Sequence, residues 1–249
     1  PNKTEGTQIQ TIIGQLTYTY GAFKLEPRSA DDISDGGASF TATTASEIQQ
    51  DNITLGAGVE VDVVVTALQI NGSNIEAMYV SDIVSQAAPY TGIYVKLAQS
   101  VPQSTYSTGD RLTIKGYYAE AYGASQIDAS EVTGNGTAPL PTAAVIADLC
   151  TIATKFVPDG QNWTPGTTHG AQAESYEGVL VRIDGTSITN DDLGYGQFEI
   201  GGCLAVDRQL YDHPTKDVGT TFTSITGQLT YTYSAFKLEP RSADDVDSP

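Results

Sequence analysis

The sequence predicts an all-β protein made of repeated small antiparallel barrels or sandwiches, and three observations carry that prediction. Residues 12–33 (IIGQLTYTYGAFKLEPRSADDI) recur almost unchanged as residues 225–246 (ITGQLTYTYSAFKLEPRSADDV), an offset of 225 − 12 = 213. Pro1, Lys3 and Gly6 keep the same register with Pro214, Lys216 and Gly219, so the duplicated unit includes the approach to the motif. Second, apolar residues alternate: Val61, Val63, Val65 and Ala67 fall on one face of EVDVVVTAL, and Leu112, Ile114 and Gly116 precede Tyr118 in another run. Third, turn clusters punctuate these runs, at NGSN (71–74), TGD (108–110), NGTAP (135–139) and TNDD (189–192). Few helical patterns compete, as expected of short-stranded barrels.

Taken in order, residues 1–37 read as the orphan C-terminal half of a module. A weaker third copy, LTIKGYYAEAYGASQI, spans residues 112–127. Its spacings of six from Gly116 to Tyr122 and five from Tyr122 to Ile127 match Gly14, Tyr20, Leu25 and Gly227, Tyr233, Leu238. Front halves number two, residues 60–70 with 92–98 and residues 176–183 with 197–206. The expected organisation is therefore an orphan half-module (1–37), a barrel (38–140), a linker with one short helix (141–172) and a second barrel (173–249). The helix is expected because Val145, Leu149, Ile152 and Phe156 stand at i, i+4, i+7 and i+11 behind Pro141. Gly14, Gly116 and Gly227 are expected where a strand bends and a Cβ does not fit. Asp31, Asp32, Asp244 and Asp245 lack the spaced acidic run of a calcium loop and read as a turn or one capped helical turn.

Composition narrows the function classes. With 249 residues, 39% of them hydrophobic, the chain can bury two cores of roughly 80–100 residues each. No apolar run approaches the roughly 18 residues of a membrane-crossing helix. Twelve basic against thirty acidic residues give a net charge of −18, which repels phosphate backbones; no basic stripe offsets it, so nucleic acid is not an expected partner. The first residue is Pro and the one methionine is Met78, as in a processed product or fragment. Five of seven asparagines (Asn2, Asn52, Asn71, Asn135 and Asn162) head an Asn-x-Ser/Thr triplet, an excess that hints at a glycosylated exterior, although in many bacteria the triplet carries no sugar. Cys150 and Cys203 lie in no CxxC or CxxCH motif. A structural disulfide closing 203 − 150 = 53 residues would contribute on the order of 4 kcal/mol; two separately buried thiols are the alternative.

Catalytic machinery is scarce. His169 and His213 sit in loop sequence and are expected at the surface, and neither has His or Cys at metal-ligand spacing. Hydrolase, zinc-protease and phosphate-loop motifs are absent. Asp191 with Asp192, and Glu174 with Glu177, read as ordinary surface acids rather than a glycosidase pair. No catalytic residue, metal site or cofactor is expected. Tyr18 and Tyr20, like Tyr231 and Tyr233, stand two apart on one strand face, with Phe23 and Phe236 following. They suit core packing, or stacking on a ligand, for which saccharide fits the charge better than nucleic acid. Trp163, in a Gly- and Pro-rich connection, is expected to plug the gap between modules.

The phrases YEGVLVRI, DLGYGQFEI and VGTTFTSITGQLTYTYSAFKLEPRSADDV, with GIYVKLA and GDRLTIKGYYAEAYGASQI upstream, resemble the tandem OB-fold modules of bacterial extracellular proteins, which accompany secreted nucleases and lamin-tail-bearing surface proteins. The resemblance covers most of residues 1–33, 56–137 and 174–246. It implies a tandem of OB-fold-like five-stranded Greek-key barrels, an export route and an extracellular or cell-surface location. It does not imply a nuclease, because the catalytic domain of those enzymes is a separate unit with no match here. The expected function is a non-catalytic extracellular structural repeat protein that assembles head-to-tail into a fibre or filament. Its partners are further copies of itself or adjacent repeats of a longer chain, through Leu16, Tyr18, Tyr20, Phe23 and Leu25. The alternative is an accessory binding module of a larger secreted enzyme, holding a polysaccharide, nucleic acid or protein.

Overall fold

The computed structural model describes residues 9, 11–34, 39–160, 162–214 and 217–247. Two compact units are present, residues 1–41 and residues 42–249. The first holds β1 (Thr11–Ile12), β2 (Gln15–Thr19), β3 (Ala22–Glu26) and β4 (Ile33–Ser34). β2 and β3 form an antiparallel hairpin, β1 pairs with β4, and a single 3-10 turn, Ala30–Asp32, connects the two pairs.

In the second unit, β5 (Thr41–Thr43) leads into a short helix, α1 (Ala45–Gln49). Thr44 caps this helix by accepting the Glu47 N–H, and Glu47 returns the contact to the Thr44 N–H. The Asp82 carboxylate accepts the N–H groups of Ala45 (2.8 Å) and Ser46 (3.1 Å), which seats Ile48 in the first core. The first barrel comprises β6 (Gly58–Asn71), β7 (Asn74–Asp82), β8 (Gly92–Pro102), β9 (Asp110–Ala121) and β10 (Ala124–Thr137). Alternation puts Val59, Val61, Val63 and Val65 wholly inside. The strand order β6-β7-β8-β10-β9 closes through β9–β6, with β8–β10 the parallel pair.

The second barrel repeats that plan. After β11 (Ala144–Val145), β12 (Thr154–Asp159) and β13 (Asn162–His169) come β14 (Leu180–Asn190), β15 (Phe198–Ile200), β16 (Leu204–Val206), β17 (Thr221–Thr232), β18 (Ala235–Glu239) and β19 (Val246–Asp247). The order β14-β15-β16-β18-β17 closes through β17–β14, and β16–β18 is the parallel pair. The fold is thus all-β with two closed five-stranded OB-fold-like barrels, as the sequence leads one to expect.

The helix does not lie where its periodicity placed it. Residues 141–156 form β11, a 3-10 turn at Leu149–Thr151 and the start of β12, while α1 lies before the first barrel. Of the four residues on the expected helical face, Val145 is exposed and Leu149 part-buried; the core takes instead Ala144 and Ile146, then Ile152 and Ala153, with Phe156 buried beneath Trp163. β11 pairs in parallel with β14, so tertiary strand pairing outweighs helical propensity there. The hairpin β12–β13 packs on the second barrel. There Trp163 covers a small cluster of Phe156, Leu193, Ala205 and Ala235 rather than filling a gap between barrels.

The three predicted glycines are confirmed in position. A Cβ at Gly14, Gly116 or Gly227 would stand 2.6, 2.5 or 2.5 Å from the carbonyl oxygen of Glu26, Asp128 or Glu239, all backbone atoms of the facing strand. Polar contacts join the barrels: the Gln49 side chain donates to Gly92 O (2.9 Å) and Glu177 O (3.0 Å), and Arg241 donates to Thr66 O (3.2 Å).

Candidate assembly interface

Residues 12–33 and 225–246 share 22 − 3 = 19 of 22 positions, differing at 13, 21 and 33, and they adopt the same local structure. Leu16 faces Leu25 and Tyr18 faces Phe23 across β2–β3, as Leu229 faces Leu238 and Tyr231 faces Phe236 across β17–β18. The aromatic pair stands at 4.9 Å in one copy and 4.7 Å in the other. Arg28 binds Asp32 through Nε (3.0 Å) and Nη2 (2.8 Å), and Arg241 binds Asp245 likewise at 2.8 Å through both nitrogens. The Arg28 guanidinium and backbone N–H groups hold the Asp32 carboxyl down to about 2. Asp32 and Asp245 therefore close a single capped 3-10 turn in each copy.

What differs is cover. Leu229, Phe236 and Leu238 are at most 1% exposed, packed on β14 to β16, whereas Leu16, Phe23 and Leu25 are 69%, 73% and 42% exposed. Tyr18 is also open where Tyr231 is part-buried, but Tyr20 and its counterpart Tyr233 are both exposed, at 100% and 91%, so the expected place of Tyr20 in a face that the C-terminal copy packs internally does not hold. Ile12 is exposed where Ile225 is buried. The polar face shows the same contrast. Lys237 pairs with Asp207 (2.7 Å) and Glu239 accepts the Gln209 N–H (2.9 Å), both within the core of the unit, while Lys24 and Glu26 are exposed. Burying Ile12, Leu16, Phe23 and Leu25, now 42%, 69%, 73% and 42% exposed, as fully as their counterparts would stabilise the hairpin by about 3–7 kcal/mol in total.

Cys150 and Cys203 form a disulfide with Cα atoms 5.2 Å apart, tying the 3-10 turn to the loop between β15 and β16. Asn52, Asn71, Asn135 and Asn162 are exposed, Asn71 donating to Glu76 and Asn135 to Thr113 (2.7 Å each); Asn2 lies outside the described residues. His169 is exposed beside Thr154. His213 is not at the surface: it is 4% exposed, edge-on to Phe198 at 5.0 Å, with its Nε2 3.1 Å from Asp207 O. Glu177 is likewise no surface acid, being 4% exposed at the junction of the barrels. Its neighbours come from a different module, so no local pattern could have marked it.

No family model and no curated protein matches the chain. Among solved structures it is similar to a Leishmania major Friedlin protein described as an aspartyl-tRNA synthetase, with 14% identity and a TM-score of 0.31. The likeness covers 42% of this chain and 22% of that one, and at that level it carries no functional argument.

Proposed function

We propose that this is a non-catalytic extracellular structural repeat protein of the tandem OB-fold kind, in which residues 11–34 are the back half of a barrel completed by an adjoining repeat. The observation that carries this is nearly one sequence in two states: Leu229, Phe236 and Leu238 are buried, and the matching Leu16, Phe23 and Leu25 are open. The missing cover has the chemistry of β14 to β16, the strands that enclose the C-terminal copy. Continuing the 213-residue period head-to-tail supplies it, because each back half then meets the front half of the repeat before it. Export is supported by the Cys150–Cys203 disulfide.

The test is complementation. A separately produced segment of residues 173–213 is added to the full chain, and protection of residues 11–34 is followed by limited proteolysis and hydrogen exchange. Protection in the full chain, lost in a Leu16→Asp/Phe23→Asp variant, is expected, together with filaments in electron micrographs of native material. Isolated beads in those micrographs, or equal protection in the variant, would overturn the reading.

A further inference from the structure

The two barrels enclose a groove of about 670 Å³ whose wall is unusually rich in tyrosine. Tyr79, Tyr94 and Tyr122 come from the first barrel, Tyr231 and Tyr233 from the second. Tyr122 and Tyr233 occupy the same place in their modules, the first central residue of a two-residue hairpin turn. They have φ of 56° and 51° and are 102% and 91% exposed. Such turns favour Asn or Gly there, and a tyrosine in the left-handed region is strained. Neither side chain recovers that strain by being buried. Two barrels nonetheless direct the same strained, solvent-facing ring to one groove.

The groove also holds polar groups without partners. Glu177 Oε1 accepts the Ser125 N–H (2.8 Å), but Oε2 is buried with no hydrogen bond, as is Thr232 Oγ1. Burial, with Glu174 adding, raises the Glu177 carboxyl to about 8, so at neutral pH it is largely an uncharged group able to donate as well as accept. Gln69, Gln126 and Gln209 add amides, with Gln69 accepting the Tyr94 hydroxyl (3.0 Å). Lys96 lines the wall, and Lys237, paired with Asp207, lies 5.5 Å over one face of the Tyr233 ring, both set against a chain charge of −18. Flat aromatic faces, neutral hydrogen-bonding groups and little positive charge suit a ligand with apolar ring faces and many hydroxyls, and disfavour polyanions.

We propose that the groove between the barrels binds a neutral saccharide chain, with Tyr122 and Tyr233 as stacking platforms at its rim and Glu177 and Thr232 as hydrogen-bonding groups at its buried end. This site is independent of the N-terminal hairpin and of the assembly reading.

The test is affinity electrophoresis of the full chain in native gels. One set of gels contains laminarin, hydroxyethylcellulose, xyloglucan or starch; a second contains polygalacturonate; labelled single-stranded DNA is run alongside. Retardation by at least one neutral polysaccharide is expected, with none by the polyanions. In a Tyr122→Asn/Tyr233→Asn variant, whose new residues fit the turn, the affinity should fall at least tenfold while the melting temperature is held or raised. Glu177→Gln retains volume and hydrogen-bonding capacity and should bind within threefold of the parent, whereas Glu177→Leu should lose binding. The proposal is overturned by no retardation across the neutral panel, by an undiminished double variant, or by polygalacturonate or DNA binding as strongly as the neutral chains.

Discussion

Truncating one phenylalanine in each copy of the duplicated hairpin separates local sequence from tertiary cover. Phe236 is 1% exposed, its ring 4.7 Å from Tyr231 and 5.4 Å from His169, inside the core of the second barrel. Phe236→Ala should cost about 3–5 kcal/mol, the usual loss for a buried phenylalanine with partial relaxation of the cavity. Phe23 has nearly the same neighbours in sequence, but is 73% exposed, with its ring against Tyr18 at 4.9 Å. Phe23→Ala in dilute, unassembled protein should change stability by less than about 0.5 kcal/mol. Thermal and urea denaturation followed by circular dichroism read both. For a cooperative unit of roughly 200 residues, 1 kcal/mol moves the midpoint about 2–4 °C, so Phe236→Ala should lower it by about 6–20 °C and Phe23→Ala hardly at all. Equal losses in dilute protein would show that the N-terminal hairpin is already covered within the chain and would refute the reasoning. In assembled material, by contrast, Phe23→Ala should weaken end-to-end association.

Three further outcomes follow from the same structure. Gly227→Val puts a Cβ about 2.5 Å from Glu239 O, a backbone atom that cannot move aside, and should destabilise the second barrel by about 1–3 kcal/mol; an unchanged melting curve would mean the strand has room to shift. Mass spectrometry of a non-reduced digest should recover the Cys150 and Cys203 peptides linked, and reduction should cost on the order of 4 kcal/mol; unlinked peptides would sink this expectation. Burial, with Asp207 adding, raises Glu239 to about 8, and Glu177 is raised to about 8 as well. Both therefore keep a proton in the folded state that the unfolded chain releases above about 4.3. The stability they contribute is full below that pH and is lost as pH rises through about 8, by at most roughly 1.4 kcal/mol per pH unit for each. Melting temperatures should fall from pH 5 to pH 8, and Glu239→Gln should reduce that slope; a slope unchanged by the substitution would remove Glu239 as a cause.

The sequence by itself determined the class, the repeat and the local conformations. Alternation of Val61, Val63 and Val65 fixes a strand because side chains in a strand point to opposite faces in turn, whatever lies beyond. The hairpin of residues 15–26 holds the register of residues 228–239 without a core to support it, through the Tyr18–Phe23 pair and the Arg28–Asp32 turn. Gly14, Gly116 and Gly227 were legible for the same reason, since a close backbone approach excludes a Cβ. Tertiary structure decided everything that depends on who covers whom. It made strands and a 3-10 turn of residues 141–156, where β11 pairs with β14 and Ala144, Ile146, Ile152 and Ala153 pack into the second core. It buried Glu177 and His213, and it brought Tyr122 and Tyr233 to one groove from barrels whose sequences are 111 residues out of phase (233 − 122). Burial is a property of neighbours distant in the chain, which is why Leu16, Phe23 and Leu25 stand open while Leu229, Phe236 and Leu238, in nearly the same local sequence, are core.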